Sequence, residues 1–179
     1  QAQIDKGRIG LIGHSEGGII APMVAADHDD IAFIVLMAGT GLPGEEIIML
    51  QSRLIGKANG APESMIENNL QTQKKIFTIV KKYEDKKIRG KKLRNYLQKE
   101  IDALSGQERA AIGNIETHIT NQIKQVNNPW FRFFLTHDPR PVLKQVDCPV
   151  LALNGGRDLQ VPADENISAI DIALKTGGN

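Results

Sequence analysis

A short apolar run at residues 8–12 (RIGLI) ends in Gly13 and passes, with no linker, into Ser15 and a segment carrying Ile19, Ile20, Met23 and Val24 at helical spacing to about residue 27. Few folds are open to a chain that turns from a buried strand into a helix within three residues. A second continuous apolar run, residues 31–38 (IAFIVLMA), closes on Gly39. Unbroken apolar runs of this length predict buried strands, not half-exposed ones. Strand, tight turn, helix and strand make a βαβ unit, and such units build parallel sheets covered by helices on both faces.

Beyond Gly41, Pro43 and Gly44 the character changes. Residues 45–135 hold no convincing strand, are rich in Lys, Glu, Gln and Asn, and carry apolar stripes at helical spacing: Ile76, Val80 and Tyr83, then Leu93, Tyr96, Leu97, Ile101 and Leu104. Breaks fall near Gly60 to Pro62, Arg89-Gly90, Ser105-Gly106 and Asn127 to Pro129, which predicts four or five amphipathic helices. Alternating αβ character then returns. Residues 149–153 (PVLAL) read as a third buried strand, and residues 163 to about 175 as a helix with Ile167, Ile170, Ala173 and Leu174 toward the core, stopped by Thr176-Gly177-Gly178-Asn179. The fold class expected is α/β: three parallel strands with flanking helices and a large helical segment between the second and third strands. Residues 1–44 with 136–179 form the core in this reading, and 45–135 the insertion.

Gly13-His14-Ser15-Glu16-Gly17 fits G-x-S-x-G, the turn that exposes a nucleophilic serine between a strand and a helix. The middle residue is strained and its side chain stands above the sheet. The chain passes close to itself two residues before and after the serine, so Gly13 and Gly17 are expected where only small residues fit, with Gly18 continuing the elbow. The backbone N–H of Glu16, at the helix N-terminus, points where an oxyanion would form. A phosphate-cradling loop would want Lys after its last glycine, but Ile19 follows Gly18.

The loop Asn154-Gly155-Gly156-Arg157-Asp158-Leu159-Gln160-Val161-Pro162 follows the third strand at once. A carboxylate just past a strand end can orient an imidazole, which selects Asp158. Standing alone, the same residue reads as a turn or cap aspartate. Asp164 and Glu165 read as first-turn acids of the next helix.

With GHSEGG, LMAGTG and CPVLALNGGRDLQVP together, the chain resembles the serine hydrolases of the α/β-hydrolase superfamily, nearest to esterases of the serine-aminopeptidase-like and dienelactone-hydrolase-like branches. The resemblance covers roughly residues 4–48 and 129–179 and implies the C-terminal portion of that fold, with its fifth to seventh strands. It implies Ser15 as nucleophile, the Glu16 N–H as one oxyanion donor, Asp158 as the triad acid, and residues 45–135 as a helical cap. The activity implied is hydrolysis of small-molecule carboxylic esters through an acyl-enzyme; a peptidase, a thioesterase or a non-catalytic binding module would share these features.

The family's histidine follows its acid by some tens of residues, and the chain stops before it. His14 precedes the nucleophile, His28 lies at the far end of the first helix, His118 falls on a solvated face of the helical segment, and His137 precedes Asp138-Pro139; none follows Asp158. The expectation is a truncated chain, inactive as it stands, whose two unpaired sheet edges invite homo-oligomerisation.

Composition excludes more than it selects. A net charge of +1 and 4% aromatic residues argue against nucleic acid as a partner. No apolar stretch approaches the ~20 residues of a membrane span. Cys148 is the single cysteine and reads as a small hydrophobe at a strand entrance. No His, Asp or Glu cluster has metal-ligand spacing, and no cofactor is expected. Ten Lys and Arg fall between Lys74 and Arg94; they are open to reading as an anion-binding or membrane-surface stripe, but over a nearly neutral chain they read as the solvated face of cap helices.

Overall fold

Asp5 accepts a hydrogen bond from the Gly7 N–H (3.0 Å) and starts a 3-10 turn, Lys6–Arg8, so the first strand begins two residues later than its apolar run suggests. The structure is a computed structural model that describes residues 5–179. Strand β1 (Gly10–His14) leads into helix α1 (Gly17–Asp27) and strand β2 (Phe33–Met37), and β3 (Val150–Leu153) completes a sheet of order β1-β2-β3 among the described residues. Both pairings are parallel, with Gly10 opposite Phe33 and Ile34 opposite Val150. This is the expected partial α/β architecture.

The chain divides into two compact units, Glu63–Thr136 and the remainder. In the sheet unit, Leu11, Ile34, Leu36, Val150 and Ala152 share one face. They pack with Ala21 of α1, Leu143 of α8 (Arg140–Leu143), Val146, and Ile170 and Ala173 of α9 (Ala163–Gly177) into one core. The opposite face carries Ile12, Phe33, Met37, Leu151 and Leu153, each between 42% and 71% exposed. Within the sheet unit the described helices pack on one face of the sheet, where cover on both faces was expected. On α1, Ile19 is buried, but Ile20 and Met23 are exposed, so the apolar stripe read there is narrower than the sequence suggests. Helix α2 (Gly44–Ala58) groups with the sheet unit, where its Gly44 N–H donates to the His137 carbonyl (3.1 Å).

The helical unit comprises α3 (Glu63–Lys82), α4 (Lys86–Asp102), α5 (Gly106–Ile112), α6 (Ile115–Val126) and α7 (Pro129–Thr136). Residues 44–136 thus hold six helices, α2 to α7, where four or five were expected. The predicted break at Arg89-Gly90 is absent. The chain breaks instead at Asp85, whose carboxylate caps α4 by accepting from the Lys87 and Ile88 N–H groups (2.9 and 2.8 Å). Ser105 and Glu108 form a reciprocal capping box on α5, and Asn114 caps α6. Ile76, Val80, Leu93, Leu97 and Ile101 are buried, as their spacing implies. Among the aromatic residues at 130–134, Phe131 has its ring 6.0 Å from that of Phe77, which seats α7 on α3.

Arg89 is 3% exposed and is the hub of this unit. Its guanidinium donates to Asn127 Oδ1 (2.6 Å) and to the carbonyls of Tyr83 (2.8 Å) and Glu84 (3.0 Å). Burial, and then the nearby Arg132 charge, lower its pKa against the opposing pull of Asp85. A guanidinium starts so far above neutrality that it stays charged.

Candidate active site

Ser15 is the first residue past β1 and adopts φ +52°, one of two non-glycine residues with positive φ among those described. A left-handed serine is uncommon and signals a turn held by its surroundings. Its N–H donates to the Met37 carbonyl (2.9 Å), the end of the β1–β2 ladder, and its carbonyl accepts from Gly18 N–H (2.8 Å), which opens α1. The side chain is exposed. Glu16 is the N-cap of α1, in right-handed conformation with no side-chain cap, so its peptide lies at the positive end of that helix.

The glycines divide the steric work differently from the expectation. A Cβ on Gly13 would lie 2.0 Å from the Gly17 carbonyl oxygen and 2.8 Å from the Gly18 nitrogen, whereas a Cβ on Gly17 would meet nothing within 4 Å. The close approach is real, but it demands a glycine only on the strand side. Gly18 is the second constrained position, since its Cβ would lie 2.5 Å from the Cα of Gly39. His14 is exposed, on the uncovered side of the sheet with Ile12.

Ala38 repeats the geometry of Ser15 one strand over, with φ +49° just past β2 and an N–H that donates to the Leu153 carbonyl (2.8 Å). The loop it opens is fixed from α9 by Asn166, a residue missed by the sequence reading. Asn166 is fully buried; its Oδ1 accepts from Gly41 N–H (2.9 Å) and its Nδ2 donates to the Pro162 carbonyl (2.8 Å). A lone Asn in an apolar stripe gives no hint of a partner 125 residues away.

Asp158 lies in the loop after β3. Its Oδ1 accepts from the N–H groups of Gln160 (2.8 Å) and Val161 (3.0 Å), and Asn154 Nδ2 closes the loop onto the Val161 carbonyl (2.6 Å). The carboxylate thus holds its own turn through Oδ1. Its Oδ2 has no hydrogen-bond partner among the described residues. His14, Met37 and Leu153 end the three strands at one level. Ser15 and the loop that carries Asp158 therefore both leave the C-terminal edge of the sheet, from strands two spacings, or about 10 Å, apart. Asp164 and Glu165 stand in the first turn of α9, as expected.

The sequence profile of the BAAT / acyl-CoA thioester hydrolase C-terminal family matches residues 1–108, more than half of the chain. The chain belongs to this family. No curated protein and no solved structure matches it. The thioester-hydrolase profile includes the Ser15 elbow, both strands of the first pairing and the helices through α4, and it ends before Asp158. It agrees with the hydrolase resemblance carried by GHSEGG and identifies the chain as part of a hydrolase family.

Of the histidines, His28 caps the far end of α1 and is exposed. His118 is half-buried rather than solvated, and its Nε2 pairs with Gln122 Nε2 at 2.7 Å. His137 is half-buried; burial lowers its pKa by disfavouring the imidazolium, against the pull of Asp138. No hydrogen bond joins a histidine to Ser15 or Asp158 among the described residues. A cavity of about 680 Å³ lies within the helical unit, lined by Tyr96, Leu97, Ile101, Leu104, His118 and Gln122; no elbow residue reaches it. Among the described residues no group of His, Cys, Asp and Glu is placed to hold a metal ion, and Cys148 is a free, half-buried thiol whose pKa burial raises.

Proposed function

We propose that the chain carries the nucleophile and the acid of a serine hydrolase acting on acyl thioesters. The left-handed Ser15 at the end of a strand, with the helix N-terminus directly behind it, is the observation that carries the reading. The family description moves the favoured substrate from the carboxylic esters expected at first to thioesters. Ser15 Oγ attacks the thioester carbonyl as a histidine takes its proton, and the Glu16 N–H steadies the oxyanion. The carbon–sulfur bond then breaks and the thiol leaves with that proton. Water, activated by the same histidine, hydrolyses the acyl-serine to the carboxylic acid and restores Ser15. Asp158 uses Oδ1 to fix its own loop and offers Oδ2 to orient the imidazole. None of the four histidines of residues 1–179 is the base in this reading, so the chain by itself is expected to be inert.

The test is a fluorophosphonate, read by intact mass with and without added imidazole as a substitute base. Ser15 is expected to be unreactive alone, to acquire one adduct in proportion to imidazole, and to lose it in Ser15→Ala. Full-rate labelling without imidazole would make one of the chain's own histidines the base. No Ser15 adduct at any imidazole concentration would favour a non-catalytic hydrolase-like module instead.

A further inference from the structure

Near-neutrality of the whole chain conceals a division. The helical unit, residues 63–136, holds 14 Lys and Arg against 8 Asp and Glu, a net of +6, while the rest holds 8 against 13, a net of −5. The unit that bears the lysine-rich stretch is therefore strongly basic, and its lysines are not balanced by acids of the same unit.

Within that unit the excess gathers where α3 turns into α4. Lys82, Lys86, Lys87, Lys91 and Lys92 are exposed, and none makes an ion pair among the described residues. The nearby acids are engaged: Glu84 with Arg132 (3.3 Å), Asp85 with the α4 backbone, Glu116 with Arg94 (2.7 Å). The Lys82 and Lys92 amines lie 5.7 and 5.8 Å from the centre of the Tyr83 ring, which ties the two helices' lysines into one patch. Ile88 is 51% exposed and shares the outer face of α4 with Lys87, Lys91 and Lys92. The arginines of the stretch take no part, since Arg89 is buried and Arg94 holds Glu116. What remains is a set of flexible point charges on a convex turn with an apolar side chain among them. That set suits a diffuse anionic surface, whereas a single phosphate or carboxylate is better held by planar arginine forks.

We propose that the α3–α4 corner docks on an anionic lipid bilayer, with the lysine amines among the headgroups and Ile88 in the interfacial layer. No helix of the described residues is long and apolar enough to cross a membrane, so the docking is peripheral. A nucleic acid would use the lysines but not Ile88, and the patch offers one aromatic ring, already flanked by two lysines. The inference does not depend on the role of Ser15.

The test mixes the purified chain with sedimenting vesicles of phosphatidylcholine alone, or of phosphatidylcholine and phosphatidylserine at about 7:3, in about 0.1 M salt. Binding is expected to the mixed vesicles only and to weaken as salt rises. Lys87→Gln with Lys91→Gln and Lys92→Gln is expected to lower the partition coefficient about 100-fold, and Ile88→Asn about 5- to 10-fold. All these side chains are exposed, so circular dichroism should be unchanged. A control set, Lys124→Gln with Lys144→Gln and Lys175→Gln, removes equal charge elsewhere and is expected to have a far smaller effect. Equal binding to both vesicles, binding to neither, or equal loss in the control set would overturn the proposal. So would release from the vesicles by short duplex DNA at equal phosphate concentration.

Discussion

Alanine at Gly13 is expected to destabilise the sheet unit by ~3 kcal/mol or more and to abolish imidazole-dependent labelling of Ser15. The added carbon would sit 2.0 Å from the Gly17 carbonyl oxygen and 2.4 Å from its carbon, both main-chain atoms of the first turn of α1. No side-chain rotation relieves that overlap; the turn has to open, and opening it moves Ser15. Gly17→Ala is the paired control. Its Cβ meets nothing within 4 Å, and alanine is the better helix former, so stability is expected to hold or rise by up to ~1 kcal/mol. Urea unfolding of both variants checks the pair. Equal tolerance of the two would mean that the elbow is looser than this backbone allows.

The second large effect is expected far from Ser15. Arg89→Ala leaves Asn127 Oδ1 and the carbonyls of Tyr83 and Glu84 without their donor and is expected to cost about 2–4 kcal/mol. Arg89→Lys keeps the charge but lacks the fork that reaches three acceptors, and should fall between the two. Arg94→Ala removes an ion pair in which Nη1 donates to both Glu116 carboxylate oxygens, at 2.8 and 2.7 Å, yet both side chains are substantially exposed, so less than ~1 kcal/mol is expected. Thermal melts of the three variants give the order. A loss at Arg94 equal to that at Arg89 would show that charge, not burial, governs the helical unit.

Where local chemistry decides structure, the sequence was readable. RIGLI, GHSEGG and IAFIVLMA dictate strand, tight turn, helix and strand, and the stripes through Ile76 and Leu93 mark the buried sides of α3 and α4. Reading failed where two local signals competed. Glycine inside a helix costs only ~1 kcal/mol, so Gly90 did not end α4, and the capping Asp85 decided the boundary instead. It failed again where the partner is remote. Nothing near Gly18 announces Gly39, nothing near Asn166 announces Gly41, and the uncovered face of the sheet is invisible in strands that are apolar on both sides. The candidate site shows the same split, since the turn at Ser15 is written in five consecutive residues, while the loop that holds Asp158 depends on Asn154 reaching Val161.

The rung between Ser15 N–H and the Met37 carbonyl has a mechanical consequence. A reactive residue on a surface loop is free to sample orientations for little cost, and its alignment is lost whenever the loop breathes. Here the main chain of Ser15 donates the last rung of a parallel ladder and accepts the Gly18 N–H that opens α1, so its left-handed torsion is held by a bond on each side. The direction of the side chain is thus set by main-chain bonds to the sheet and to the helix, while the side chain itself stays in solvent.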